Sequence, residues 1–138
     1  MKRTKQTRLN RLQNMVIRFI FSLKKIEHIT EHRIQLKWFT IRPRRNLNTL
    51  SLIYTVLSHH CTSEYLNTRF SFLGSNHSLC LRSLSDNRLE LPMSRTQAYG
   101  YSFTVNSAVL WNALSPEIRA AKSVYIFKRR VKNYFLSL

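Results

Sequence analysis

Five potential metal ligands, His59, His60, Cys61, His77 and Cys80, fall within 22 residues of one another. Imidazole and thiolate are the usual ligands of tetrahedral zinc, and a His-x2-Cys pair closing on His60-Cys61 would supply four of them. The spacing H-C-x15-H-x2-C follows no regular zinc pattern, and adjacent His-Cys ligands strain a tetrahedral site. The expectation is therefore buried cysteines, surface histidines and no metal. His28 and His32, at i and i+4, would need a carboxylate partner in place to hold a metal, and are expected to be exposed. Acid–base and hydrolytic chemistry have still less to work with. There are six carboxylates in all, none paired, and no Gly-flanked serine or phosphate-cradling glycine loop. Polymerase chemistry needs aspartates to hold two metals, and Asp86 is the one aspartate in the chain. On its own the chain is expected to be no enzyme, to use no cofactor and to take no small-molecule substrate.

What the sequence has in excess is cations. The net charge is +17, which opposes compaction by self-repulsion and calls for an anionic partner. Nucleic acid is the first such partner and an acidic membrane surface the second. The charge is uneven: residues 1–45 carry 13 Lys/Arg against Glu27 and Glu31, residues 46–121 nearly balance, and five more cations follow from Lys122 onward. Three groups stand out as contacts for RNA or DNA backbone, indifferent to sequence. Arg11, Arg18 and Lys25 repeat every seven residues. Arg42, Arg44 and Arg45 cluster where a helix begins, its dipole already positive there. Lys128, Arg129 and Lys132 lie on the back of a C-terminal helix, as does Arg130. The aromatics Trp38, Trp111, Tyr99 and Tyr101 are candidates for base stacking, but Trp111 sits beside Leu110 and Leu114 at core spacing and is expected to pack, with Trp38 more open.

Positioning these residues requires a mainly helical α+β fold: an N-terminal three-helix unit, a small antiparallel β element and C-terminal helices. Residues 1–8 read as a basic tail. From Leu9 a first helix would turn Leu9, Leu12, Val16, Phe19 and Leu23 inward, with the Arg11, Arg18, Lys25 face opposite. Thr30 would cap a short second helix to about Lys37. Pro43 suits the first turn of a third, roughly 44–59, apolar on most sides and so the expected core. Tyr65-Leu66 would make one turn and 70–77 a loop. Residues 79–91 suggest short strands around a turn at Ser85-Asp86-Asn87. The alternation of Tyr99, Tyr101, Phe103 and Val105 with small residues reads as a further strand. A serine and a proline at 115–116 would open a short helix. Ser123 would cap the last one, which buries Val124, Phe127, Val131, Tyr134 and Leu138.

The string Leu110-Trp111-Asn112-x-Leu114-x-x-x-Ile118-Arg119, followed by Ser123-x-x-x-Phe127-Lys128-x-x-Val131-Lys132, resembles the extreme C-terminal end of reverse transcriptases from jockey-type non-LTR retrotransposons. Further matching blocks are Leu12-Gln13-Asn14 with Ile17 to Phe21, and His28-Ile29-Thr30 with Leu36-Lys37-Trp38 and Arg44-Arg45. Tyr65-Leu66 with Arg69-Phe70, Leu81-Arg82-Ser83, Arg95-Thr96 and Ser102-Phe103 complete the set. They cover roughly residues 9–138 in the family's order. Three positions depart from its pattern: Ser115 and Ser63 stand where proline is usual, and Thr55 where lysine is. The resemblance implies a thumb-like helical unit over 9–60 and an α+β tail over 61–138. It implies descent from an RNA-directed DNA polymerase whose catalytic core, with its Ala-Asp-Asp motif, is not in this sequence. The piece would contribute backbone contacts, or persist as a relic without function. The rival reading is a small basic structural protein, organellar in one version, that binds RNA or an acidic partner.

Composition bounds the rest. A chain of 138 residues is one domain or a fragment of one, with a modest core. Two cysteines do not make a disulfide scaffold and fit a reducing compartment. The apolar run 15–23 is broken by Arg18 and lacks a cleavage site, so no signal peptide is expected. No run approaches the roughly 20 apolar residues of a membrane span, and no membrane partner is expected. The acid-free first 26 residues also fit a mitochondrial presequence, a lesser alternative to nucleus or cytoplasm.

Overall fold

The computed structural model describes residues 2–58, 63–73 and 86–136. These are mainly helical: α1 (Lys2–Ile20), α2 (Thr30–Gln35), α3 (Ile41–Ser58), α4 (Glu64–Asn67), α5 (Gln97–Gly100), α6 (Phe103–Asn112), α7 (Pro116–Arg119) and α8 (Val124–Leu136). The chain divides into two compact units, Met1–Arg45 with Phe135–Leu138, and Asn46–Tyr134.

In the first unit, α1 starts at Lys2, so most of the expected basic tail is helical. The face it buries is not the apolar one. Leu9, Leu12, Met15, Val16, Phe19 and Ile20 are exposed, Phe19 at 87%, whereas Ile17 is fully buried. The inward side is instead held by polar groups. Gln13 Nε2 donates to the Phe39 carbonyl at 2.7 Å, and Arg33 Nη2 donates to Asn14 Oδ1 at 2.6 Å. The apolar stripe of the sequence is real, but it does not face inward, because hydrogen bonds to specific partners do not show in hydropathy.

Two non-glycine residues at positive φ stop the helices of this unit. Ser22 (φ 52°) ends the turn after α1: the Leu23 N–H reaches the Arg18 carbonyl at 2.9 Å and the Ser22 N–H reaches that of Phe19 at 3.3 Å. Lys37 (φ 52°) does the same after α2, with Trp38 N–H to Arg33 and Lys37 N–H to Ile34. Both are Schellman closures, whose left-handed residue is usually glycine. An L side chain there costs roughly 1–2 kcal/mol, and glycine loses roughly 0.5–1 kcal/mol of that advantage to unfolded-state entropy. Ser22→Gly is therefore expected to stabilise the protein by about 0.5–1 kcal/mol in chemical denaturation; a loss of stability would show that the turn is not held this way. Thr30 is the first residue of α2 rather than its cap, which is Ile29 without a side-chain bond.

The second unit is built around the body of α3, which buries Leu50, Ile53, Tyr54 and Val56. Residues from both rows of its apolar surface are buried, as a core helix requires, while Leu52 is exposed. Three rings from three helices meet there. Tyr54 of α3 stacks on Phe127 of α8 at 4.5 Å between centroids, and Trp111 of α6 stacks on the same Phe127 at 5.6 Å. The Tyr54 hydroxyl donates to the Ala121 carbonyl at 2.6 Å, so the buried phenol is satisfied. On α8, Phe127 and Val131 are fully buried as the three-four spacing anticipates, and Ser123 Oγ accepts from the Ile126 N–H at 3.3 Å. Leu138 lies outside the described residues.

The expected β element does not form among the described residues. Residues 97–100 and 103–112 are helical, because two side chains open helices inside the alternating stretch. Thr96 Oγ1 accepts from the Tyr99 N–H at 3.2 Å and Ser102 Oγ from the Val105 N–H at 3.5 Å. N-caps offer the backbone a helical start, and no neighbouring strand among the described residues competes with it. The one bridge there is antiparallel, Phe72 to Leu89, flanked by Leu73 N–H to Arg88 and Glu90 N–H to Ser71. Residues 79–85 of the expected strands lie outside the described residues.

Candidate nucleic-acid interface

The cation clusters fall on both units. Arg42, Arg44 and Arg45 are exposed on the first turns of α3, where no acidic residue stands. Lys128, Arg129 and Lys132 are all exposed on α8, as is Arg130, whose Nη1 donates to the Glu117 carbonyl. The third group does not form the continuous face that its sevenfold spacing suggests. Arg11 is exposed, Arg18 is half-buried with its Nε covered and unpartnered, and Lys25 lies past the Schellman closure that ends α1. A heptad spacing marks one face only while the helix lasts, and nothing about Ser22 in the sequence marks it as a stop. None of these nine residues has an ion-pair partner among the described residues, where the pair present is Arg88–Asp86 at 3.7 Å.

Other candidates resolve differently. His59, His60, Cys61, His77 and Cys80 lie outside the described residues. His28 is exposed, but His32 is half-buried, its ring 4.5 Å from that of Phe21. Trp111 is 2% exposed and belongs to the core, whereas Tyr99 and Tyr101 are exposed at α5 and its end rather than on a strand.

The segment Leu110 to Arg119 is a corner locked by its own polar side chains. Trp111 Nε1 donates to the Asn87 carbonyl at 2.8 Å; Asn87 holds φ 49°, a conformation asparagine tolerates well. Asn112 pairs with Leu89 as a strand would. Its Oδ1 accepts from the Leu89 N–H at 2.9 Å and its Nδ2 donates to the Leu89 carbonyl at 2.8 Å. Leu89 is 1% exposed, so without Asn112 both backbone groups would be buried and unmet. Asn112→Ala is expected to destabilise by about 2–6 kcal/mol, at about 1–3 kcal/mol for each of the two stranded groups. Chemical denaturation measures it, and a change under about 0.5 kcal/mol, the range of an ordinary surface site, would dismiss the pairing.

Arg119 completes the corner. Its Nη1 donates to the Leu114 carbonyl at 2.8 Å and to the Asn112 carbonyl at 3.1 Å, closing the end of α6. The residue is only 4% exposed, and its Nε and Nη2 have no hydrogen-bond partner. Burial lowers the pKa of the guanidinium, Arg88 lowers it further, and Asp86 opposes both. In sequence Arg119 belongs to the balanced middle of the chain; its place at the end of the Trp-Asn string is the one available signal.

No protein-family model, curated protein or solved structure matches the chain.

Proposed function

We propose that this chain is a C-terminal piece of a jockey-like non-LTR retrotransposon reverse transcriptase, without catalytic chemistry of its own, that binds nucleic-acid backbone through exposed cations. The observation that carries the binding is the Arg42, Arg44, Arg45 cluster. Three exposed arginines occupy the positive end of an 18-residue helix with no acid in its first turn. Each is unfavourable there by a few tenths of a kcal/mol or more until an anion arrives, and a phosphate at a helix N-terminus meets both the arginines and the free N–H groups. The uncovered Leu9, Leu12, Val16, Phe19 face of α1 fits a piece of a larger body, since apolar faces of that kind ordinarily pack against something. The single aspartate fits a role without polymerase chemistry.

The test is binding of unrelated RNA and DNA oligonucleotides across a range of salt, beside heparin. The reading expects steep salt dependence and equal affinity for scrambled sequences, because backbone contacts carry no sequence information. Heparin that binds far tighter than any nucleic acid, with a steeper slope, would favour the rival reading of a basic protein with an acidic partner.

A further inference from the structure

Lys5, Leu9, Leu12, Val16 and Phe19 follow one another along α1 at spacings of four, three, four and three. That is the interval of a seam between two paired helices. All five are exposed. Met15 and Ile20 flank the row and are exposed as well. The apolar part, Leu9 to Ile20, covers about 140° of the helix circumference over about 17 Å of its length. The helix is not free to roll this row inward. Gln13 and Asn14 are held from the other side by the Phe39 carbonyl and Arg33, and Ile17 between their turns is fully buried. A contiguous apolar surface kept outward in this way marks an interaction site.

The row changes character along its length. Its first position is Lys5, flanked one turn on by Arg8, and both are exposed without an ion pair among the described residues. No acid occurs anywhere in α1. Whatever covers the face must therefore bring anions to one end and an apolar surface to the rest. Nucleic-acid backbone meets the first need and not the second. A second copy of the chain fails at Lys5, which would face another Lys5 in a parallel pair. In an antiparallel pair it would face the apolar end of the row and be buried without a counter-charge. An anionic bilayer presents headgroups and chains alike along the whole helix, so it does not match charge confined to one end.

We infer that α1 docks one amphipathic helix of a partner protein, with acidic residues at one end of its seam and apolar residues along the remainder. The acids pair with Lys5 and Arg8, and the apolar part covers Leu9, Leu12, Val16 and Phe19. A single charged position in such a seam fixes the register of the pair. The inference rests on the reading of this face as part of a larger body and takes nothing from the Arg42, Arg44, Arg45 cluster.

The probes are two synthetic helical peptides of three heptads with leucine seams, glutamates confined to the first heptad in one and to the last in the other. They cover the parallel and antiparallel pairings. Fluorescence anisotropy of each labelled peptide is followed as the full-length chain is added. At least one is expected to bind saturably, and its counterpart with lysine in place of glutamate at least tenfold more weakly, since like charges would then meet. Changing Lys5 and Arg8 together to glutamate should reverse that preference. Phe19→Gln should weaken binding about tenfold or more by removing a large apolar side chain from the contact. These three side chains are exposed, and circular dichroism checks that the variants keep their helices.

The inference is overturned if neither glutamate peptide binds, if the glutamate and lysine peptides bind equally, or if Phe19→Gln changes nothing. Sedimentation that shows self-association abolished by Phe19→Gln assigns the face to a second copy and overturns it too. So does binding to phosphatidylserine vesicles, lost in Phe19→Gln, when neither peptide binds. Oligonucleotide binding without peptide binding counts against this inference alone. Peptide binding without oligonucleotide binding supports it and counts against the backbone cluster alone.

Discussion

Phe127→Ala is expected to lower stability by about 3–5 kcal/mol, the range for truncating a large buried aromatic. Phe127 is fully buried, and the rings of both Tyr54 and Trp111 stack on it. Its removal therefore empties the junction of α3, α6 and α8 and leaves Tyr54 and Trp111 only their wider contact with each other, at 6.5 Å between centroids. Aromatic pairs contribute about 0.5–1.5 kcal/mol beyond area burial, so the loss should fall in the upper part of that range. A domain holds only about 5–15 kcal/mol in total, and with a charge of +17 opposing compaction the variant should be largely unfolded near body temperature. Tyr125, two residues earlier and 74% exposed, supplies the control: Tyr125→Ala should change stability by no more than about 0.5 kcal/mol. Urea unfolding followed by tryptophan fluorescence reads both, since Trp111 lies in the cluster. Equal effects of the two substitutions would mean that the aromatic junction is not the core of this unit.

Changing Arg42, Arg44 and Arg45 together to glutamine is expected to flatten the salt dependence of oligonucleotide binding by roughly two to three units of log affinity per log salt. Each neutralised phosphate contributes about −0.7 on single strands and about −0.9 on duplex DNA through counterion release, so removing three phosphate-binding arginines gives that range. The substitution also removes three cations from the positive end of α3, at a conflict of about 0.3–1 kcal/mol each. Helical content should therefore hold or rise. That combination separates the two explanations of the cluster. A misfolded variant would lose binding and helicity together, whereas a variant without its phosphate site loses only binding. If the triple variant keeps both the wild-type slope and the wild-type affinity, the cluster is a solvated helix end and the proposed interface fails. Arg11, exposed on the same unit, is then the next substitution to make; Arg18 is a poorer choice, being half-buried with a covered Nε.

Charge, and the helices of strong period, were determined by the sequence itself. The acid-free clusters at 42–45 and 128–132 are statements about composition, and folding left them exposed because ionised side chains pay heavily for burial without partners. The core helix α3 and the buried row of α8 followed from three-four spacing that spans several turns. Pro116 opens α7 as proline at a first helical position does. Three things waited on the tertiary structure. The alternation at 99–105 looks like a strand, but strand pairing needs a neighbour, and the caps at Thr96 and Ser102 settled the stretch as helix locally. The direction of α1 was decided by Gln13 and Asn14 finding partners at Phe39 and Arg33, which no hydropathy pattern encodes. The roles of Asn112 and Arg119 depend on Leu89, 23 positions earlier than Asn112 in the chain, and on two carbonyls at a helix end. Hydrogen-bond partners distant in sequence are fixed only when the chain has folded, so a polar side chain that staples a core looks, in sequence, like one on the surface.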